Sequence, residues 1–203
     1  MYIIEDKRAP NPRRVRVFVA EKGIEVEYRQ IDMNKGEHLT PEIAEKNPLQ
    51  RFPILVLDDG TAISESIAIC RYFEEMHPEP SLFGLTPVEK AKVEMWSRRA
   101  ELNFLSQVAQ AFRHTHPAMA TMEVPQVAEW GEANREKIDK TLVHFDNALK
   151  EARFVAGQNY SVADITLLIG IDFMRVLKRR IPDEMTALQD WHKRVSERES
   201  AQA

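Results

Sequence analysis

The pattern of hydrophobic and polar positions changes near residue 80. Before that point, short apolar runs with a period near two alternate with helical patterns, whereas every later pattern is helical. An Asp59-Gly60 turn between two apolar runs predicts a hairpin, because glycine adopts positive φ without steric cost. Strands are predicted within YIIE (2–5), VEYRQIDM (26–33), ILVL (54–57) and AI (62–63), and helices within NPRRVRVFVAEKG (11–23) and SESIAICRYFEEM (64–76). The order β-α-β, then β-β-α, predicts a small α/β domain.

The segment HPEPSLFGLTP, residues 77–87, interrupts this pattern with prolines and a glycine, which are typical of a connection. We therefore expect an N-terminal domain over residues 1–80, a linker over 81–87 and an all-helical domain over 88–203. Helical patterns cover 88–114, 127–151, 161–177 and 185–198. The fold class predicted from the pattern is α/β followed by all-α.

One of these helices carries a start signal in NYSVADITL. Ser161 and Asp164 have the spacing of a capping box, in which each side chain binds the backbone N–H of the other. The sequence that follows is apolar on nearly every side, which predicts a helix through the core of the helical domain. Asp164 is therefore expected to be structural.

Composition narrows the function classes. The net charge of −4 gives no reason to expect a nucleic acid or an anionic membrane as partner. The single cysteine, Cys70, excludes an internal disulfide and is expected to be a small buried residue. The longest apolar stretch, ITLLIGIDFM, contains Asp172 and is too short to cross a bilayer. These features predict a soluble, cytoplasmic protein.

The first candidate binding residues, Glu65 and Ser66, lie between the predicted hairpin and the helix that follows it. If Ser66 starts that helix, free backbone N–H groups and the positive end of the helix dipole would bind a carboxylate. Glu65 would bind an ammonium group. Together they would fit the head group of an α-amino acid. The alternative is that Ser66 only caps the helix and Glu65 faces water.

Phe52-Pro53 lies at the entrance of the third strand, where the proline donates no hydrogen bond to the sheet. A cis bond there would turn the neighbouring backbone groups outward, free to pair with a peptide, although trans is the more common isomer. Taken with Glu65-Ser66, this predicts a site for an extended peptide.

The chain resembles the cytosolic-type glutathione S-transferases over essentially its whole length. NPLQRFPILVLDDGTAISESIAICRYF is similar to the family's signature around its proline and Glu-Ser pair, GQNYSVADITL to its capping-box segment, and PNPRRVRVFVAEKGIEVE to its first helix. GEHLTPEIAEKNPLQRFP resembles the bacterial and fungal theta-like branch. The resemblance implies a thioredoxin-like first domain, with an electrophile site in the helical domain.

It also implies a co-substrate, glutathione, which is a γ-Glu-Cys-Gly peptide. Glu65 and Ser66 would hold the γ-glutamyl group, and the backbone of Phe52, set by a cis Pro53, would hold the cysteinyl group. The glycine carboxylate is expected to meet basic groups in the preceding loop. These residues are His38 and Arg51, with Gln50 assisting.

The family's usual catalytic residue is missing. The first loop, EDKRAPNP, holds no serine, tyrosine, cysteine or threonine, and Ala9 stands close to where relatives place that residue. Three substitutes are open: the side-chain amide of Asn11, a backbone amide at the N-terminus of the first helix, and a histidine, His114 or His116, activating a water as in some fungal relatives. A capping role for Asn11, before Pro12, is the structural alternative.

The resemblance implies a homodimeric enzyme that conjugates glutathione to a small hydrophobic electrophile or reduces hydroperoxides with it. Two alternatives stay open. One is a non-catalytic interaction protein of the same fold, which the missing catalytic residue favours and the Glu65-Ser66 pair opposes. The other is a glutathione-dependent lyase, isomerase or dehalogenase, in which positioning of the electrophile dominates.

Overall fold

The computed structural model describes all residues from 1 to 203. The chain forms two compact units. The first comprises Met1–Ser81 together with Glu199–Ala203, and the second comprises Leu82–Arg198. The domain bounds expected from the sequence, 1–80 and 88–203, remain a prediction, because compact units are not the same as domains. The units differ from those bounds chiefly because the last five residues pack on the first unit.

The first unit contains a four-stranded mixed sheet in the order β2-β1-β3-β4. Strand β1 runs parallel to β2 and antiparallel to β3, which in turn pairs antiparallel with β4. Helix α1 makes the crossover that a parallel pair requires. The elements of this unit are β1 (Tyr2–Glu5), α1 (Pro10–Glu21), β2 (Glu27–Gln30), α2 (Pro41–Lys46), β3 (Ile54–Val56), β4 (Ala62–Ser64) and α3 (Ser66–Met76). The predicted βαβ-ββα order is confirmed, and it is that of a thioredoxin-like domain.

Helix α2 is an element that the sequence pattern does not predict. Thr40 caps it by accepting a hydrogen bond from the backbone N–H of Ile43, and Pro41 occupies its first turn. With only six residues, the helix is too short to show a hydrophobic period. Ile43 buries its side chain in a cluster with Phe52 and three strand residues, Ile4, Ile54 and Val56.

The hairpin and the helix that follows it agree with the sequence. Gly60 has φ +88°, the positive value that the predicted turn requires. Cys70 is fully buried, as expected for a small apolar residue. Met76, at the end of α3, is more than half exposed and does not contribute to the core.

The exit from α3 is held by a buried lysine. Lys22 donates hydrogen bonds from Nζ to the carbonyl oxygens of His77 and Pro80, over 2.8 and 2.6 Å, and forms an ion pair with Glu74 at 2.5 Å. The carboxylate and the two carbonyls offset the free-energy cost of burying this amino group. The C-terminal residues also contact α1, because the guanidinium of Arg13 donates a hydrogen bond to the carbonyl oxygen of Ala201.

The second unit is all-helical, as predicted. None of its helices, nor those of the first unit, combines the length and apolar composition that a membrane crossing requires. A five-residue π-helical turn, Glu101–Leu105, separates α4 from α5 within the first predicted helix. The helices are α4 (Pro87–Ala100), α5 (Ser106–Thr115), α6 (Ala128–Glu151), α7 (Val162–Phe173) and α8 (Thr186–Ser196).

The capping box at the start of α7 is confirmed. The backbone N–H of Ser161 donates to Asp164 Oδ2 over 3.0 Å, and the reciprocal bond is present. Helix α7 is buried from Val162 to Ile171, so it forms the centre of this unit. Asp164 is fully buried and binds further groups, as expected for a structural residue.

Candidate functional site

Helix α3 begins at Ser66, and Glu65 occupies the position immediately before it. Glu65 has φ 71° and ψ 115°, a backbone conformation that non-glycine residues rarely adopt. Backbone strain of this kind persists where the surrounding structure enforces it and is concentrated at functional sites. The carboxylate of Glu65 is exposed and forms no ion pair within the chain, so it is open to an external cation.

The structure disfavours the alternative in which Ser66 only caps α3. The capping position belongs to Glu65, whose side chain makes no capping hydrogen bond, and Ser66 is the first helical residue. Ser66 is 5% exposed, and its Oγ accepts a hydrogen bond from Arg14 Nη1 over 3.1 Å. The hydroxyl therefore lies beside the free N–H groups of the helix start without satisfying them.

The Phe52-Pro53 peptide bond is cis. The side chain of Phe52 is buried in the cluster beneath β3, while its backbone N–H and C=O make no hydrogen bond within the chain. A backbone pair of this kind can accept an extended peptide by strand-like pairing.

Asn47 fixes that loop. Its Nδ2 donates to the carbonyl oxygen of Arg51 over 2.9 Å, and its Oδ1 accepts from the backbone N–H of Leu49 over 3.1 Å. Asn47 is itself buried, so both ends of its amide are satisfied by the loop it encloses. Gln50, at φ 51°, turns the chain inside this loop.

The three residues expected to meet the glycine carboxylate differ in exposure. His38 is 8% exposed, and its Nδ1 is buried without a hydrogen-bond partner. A buried nitrogen without a hydrogen-bond partner destabilises the folded protein unless a ligand provides the missing bond. Arg51 is exposed and forms no ion pair within the chain, and Gln50 is half-buried. Their roles stay a prediction.

Comparison with known proteins shows the family of this chain. A family model described as "Glutathione S-transferase, N-terminal domain" matches residues 9–76, and one described as "Glutathione S-transferase, C-terminal domain" matches residues 99–199. Glutathione S-transferase 2 of Saccharomyces cerevisiae is 39% identical over 98% of this chain and 87% of its own length. The chain belongs to the glutathione S-transferase family.

Solved transferase structures show the same fold over the whole chain. The crystal structure of Gtt2 from Saccharomyces cerevisiae superposes with a TM-score of 0.95, at 39% identity, and covers 100% of this chain and 99% of that one. A Gtt2-class transferase of Vibrio parahaemolyticus has a TM-score of 0.88 and 34% identity, covering 100% of this chain and 96% of its own. The transferase described here is therefore similar to the Gtt2 branch.

The first loop of this transferase confirms that no hydroxyl or thiol stands at the start of α1. Ala9 occupies the capping position, and α1 begins at Pro10. Asn11 is thus the second helical residue, and the alternative that it caps the helix before Pro12 is wrong. Because Pro10 and Pro12 lack an N–H, Asn11 carries the one free backbone amide among the first three residues of α1. Its side chain is exposed and makes no hydrogen bond within the chain.

The same loop is held rigid by charges. Arg8 donates to both carboxylate oxygens of Asp6, over 2.9 and 2.6 Å, and also pairs with Asp32 at 2.5 Å. The hydrogen bonds from Arg8 hold the pKa of the buried Asp6 carboxyl below its ordinary value, although burial opposes this. The loop that leads into Asn11 is therefore fixed by an ion-pair network.

The two candidate histidines lie at the end of α5 in the second unit. His114 Nδ1 accepts from the backbone N–H of Val127 over 3.1 Å, and His116 Nδ1 accepts from that of Ala118 over 3.2 Å. A neutral imidazole carries one proton, which must then lie on Nε2 in each ring. In this arrangement both histidines present an N–H donor rather than a base.

Sequence reasoning missed two residues that contact the candidate site, Arg14 and Asn47. Arg14 lies in a predicted helix, and a charge within the apolar pattern of that helix was a signal that it is buried for a reason. Asn47 belongs to the quoted Asn-Pro motif, in which asparagine commonly binds the backbone two residues on.

Proposed function

We propose that this transferase conjugates the thiolate of glutathione to small hydrophobic electrophiles. The observation that carries the proposal is the pair at the start of α3: a free, exposed carboxylate on Glu65 beside the buried hydroxyl of Ser66 and the free N–H groups of the helix start. This pattern of one acid and several donors matches the ammonium and carboxylate of a γ-glutamyl group.

The rest of the peptide follows from this anchor. The unpaired backbone of Phe52 would bind the cysteinyl group, as the resemblance to the family implies, and His38, Gln50 and Arg51 would surround the glycine carboxylate. The partnerless Nδ1 of His38 and the free guanidinium of Arg51 support that assignment.

Thiol activation is assigned to the start of α1. The backbone N–H and side-chain amide of Asn11 are both unengaged, and the positive end of the helix dipole adds to them. Donors and a positive field favour the thiolate and lower the pKa of a bound thiol. His114 and His116 stay candidates as N–H donors for the reaction rather than as bases.

The electrophile is proposed to be flat and apolar. Half-buried aromatic rings cluster at the end of α5, where Phe112 contacts the ring of His116 at 4.9 Å and that of Phe173 edge-on at 5.7 Å between centroids. Aromatic faces of this kind bind planar apolar molecules.

The active form is proposed to be a homodimer. Val88, Met95 and Leu102 are exposed apolar residues spaced seven apart, which places them along one side of α4 and the π-helical turn. Exposed apolar residues along one side of a helix are typical of a protein–protein interface, and a second copy of the chain is the partner that the family implies.

The test is the ultraviolet absorbance of the thiolate, followed across pH for glutathione with and without the protein. We expect the bound thiol to titrate well below the free value of about 8.5 and the protein to conjugate 1-chloro-2,4-dinitrobenzene. Binding with an unshifted thiol would instead favour an isomerase or dehalogenase, in which the electrophile is positioned. An absence of binding would favour the non-catalytic interaction protein.

A further inference from the structure

Arg14 places a positively charged guanidinium on the buried face of α1. Its side chain is 0% exposed, and the neighbouring positions of that face, Val15 and Phe18, are apolar and equally buried. Burying a guanidinium costs free energy that apolar packing would not require, so its presence calls for a specific use. Helices α1 and α3 pack together, and Nη1 of Arg14 reaches Ser66 Oγ at 3.1 Å.

The chemistry of the two groups fixes the direction of this hydrogen bond. A guanidinium only donates, so the serine oxygen must accept. A hydroxyl has one proton and two lone pairs, and with one lone pair bound to Arg14 its proton is directed away from the guanidinium. Ser66 is thereby held as a donor at the start of α3.

We propose that Arg14 is a positioning residue for the carboxylate of the γ-glutamyl group. It acts through Ser66, by orienting the hydroxyl as a donor to the carboxylate. It also places a positive charge on the far side of that hydroxyl from the bound carboxylate. The proposal rests on the proposed function, because it assumes that a γ-glutamyl group occupies Glu65 and Ser66.

Charges on the two sides of this site have opposite signs. The helix dipole and Arg14 favour an anion at Ser66, whereas the free carboxylate of Glu65 favours a cation next to it. A zwitterionic α-amino-acid group satisfies both at once. Arg14 would therefore contribute to the recognition of the carboxylate and leave recognition of the ammonium group to Glu65.

Three ligands separate these contributions. Glutathione carries both groups, 4-aminobutyryl-Cys-Gly lacks the carboxylate, and glutaryl-Cys-Gly lacks the amine. In Arg14→Met, titration calorimetry should show affinity for glutathione and glutaryl-Cys-Gly reduced about 10- to 100-fold, as expected for loss of a charge-assisted contact. Affinity for 4-aminobutyryl-Cys-Gly should change less than about twofold. Equal weakening of all three ligands would show a merely structural role and overturn the proposal.

Two more variants test whether Arg14 acts through the hydroxyl. In a Ser66→Ala background, Arg14→Met should have a smaller effect on glutathione affinity than in the wild type, since the bond it breaks is already gone. Arg14→Lys, which keeps the charge, should recover part of the affinity. Strictly additive effects, or no rescue, would contradict action through Ser66.

The experiment remains decisive if Arg14→Met does not fold. Ser66→Ala keeps the arginine and should weaken glutathione and glutaryl-Cys-Gly but not 4-aminobutyryl-Cys-Gly; equal affinities for wild type and variant would overturn the proposal. The titration of the wild-type protein distinguishes a failure of the proposed function from a failure of the inference about Arg14. Wild-type protein that binds no glutathione would overturn the proposed function and this inference together, whereas normal binding with no effect of Arg14→Met would overturn the inference alone.

Discussion

The carboxylate of Asp164, at the start of α7, accepts a hydrogen bond from the indole Nε1–H of Trp191 in α8 over 2.9 Å. The same carboxylate also accepts from the backbone N–H of Val155 over 2.9 Å and closes the capping box with Ser161. One fully buried side chain thus joins a loop, a helix start and a second helix, so its ionisation is coupled to the stability of the second unit.

Stability should fall with rising pH because of Asp164. Burial raises its pKa from 3.8 to about 6, although hydrogen bonds from Val155, Trp191 and Ser161 oppose the shift. Between these values the folded state binds more protons than the unfolded state, so the free energy of unfolding decreases as pH rises, by on the order of 3 kcal/mol. Urea unfolding of wild type and Asp164→Asn from pH 4 to pH 7 checks this. The variant should lack that decrease, and parallel curves would contradict the assignment.

Removing the amide of Asn47 should loosen the loop before Pro53. Asn47→Ala breaks the bonds to Leu49 and Arg51 and should lower the free energy of unfolding by about 2 kcal/mol. The KM for glutathione should rise about tenfold, because the backbone of Phe52 would lose its fixed position. Asn147→Ala, at an exposed site of the second unit, is the matched control. An unchanged KM in Asn47→Ala would separate this loop from the glutathione site.

Replacements of Glu65 should move stability and binding in opposite directions. Glu65→Gly relieves the positive φ of 71° and should raise the free energy of unfolding by about 1 kcal/mol while it weakens glutathione binding. Glu65→Gln keeps the strain and loses the charge, so it should weaken binding with little change in stability. Thermal unfolding and calorimetric titration of both variants check these results. Tight glutathione binding by both would exclude a role for the carboxylate.

The pKa of the bound glutathione thiol should depend on the side chain at position 11. Asn11→Ala removes a donor and should raise the pKa of bound glutathione, and Asn11→Asp should raise it further because a negative charge opposes the thiolate. Thiolate absorbance across pH measures both values, with thermal unfolding as the check on folding. If the pKa is the same in all three proteins, the side chain of Asn11 is not the donor, and the backbone amide or a histidine takes its place.

The apolar stripe should control assembly. Met95→Glu places a charge in the middle of Val88, Met95 and Leu102 and should convert a dimer into a monomer. Light scattering during gel filtration measures the mass. Leu39→Glu, an exposed apolar residue in the first unit, is the control and should leave the mass unchanged. A monomeric wild type, or a dimeric Met95→Glu, would remove the stripe as the interface.

Local signals explain what the sequence could predict. The hairpin follows from Asp59-Gly60, the capping box from the spacing of Ser161 and Asp164, and the existence of α3, predicted within 64–76, from its helical spacing of apolar residues. Each depends on residues that are close in the chain, where spacing alone fixes geometry.

Contacts between distant residues explain what it could not predict. The bond from Arg14 to Ser66 joins positions 52 apart and exists only because α1 packs on α3. Nor does the pattern reveal that the Nδ1 atoms of His114 and His116 are engaged, since each accepts from a backbone N–H, of Val127 and of Ala118, whose position depends on how the chain folds after α5. Isomer choice at Pro53 depends on the folded loop and not on the dipeptide.

The prolines on both sides of Asn11 make the start of α1 spectroscopically simple. A ¹⁵N–¹H correlation spectrum records each backbone N–H group as one signal, and Pro10 and Pro12 have none, so the first three residues of the helix give a single backbone amide signal. That signal belongs to the group proposed to face the sulfur. With ¹⁵N-labelled protein, its chemical shift plotted against pH would report ionisation of the bound thiol from the protein side, independently of absorbance and without any substitution.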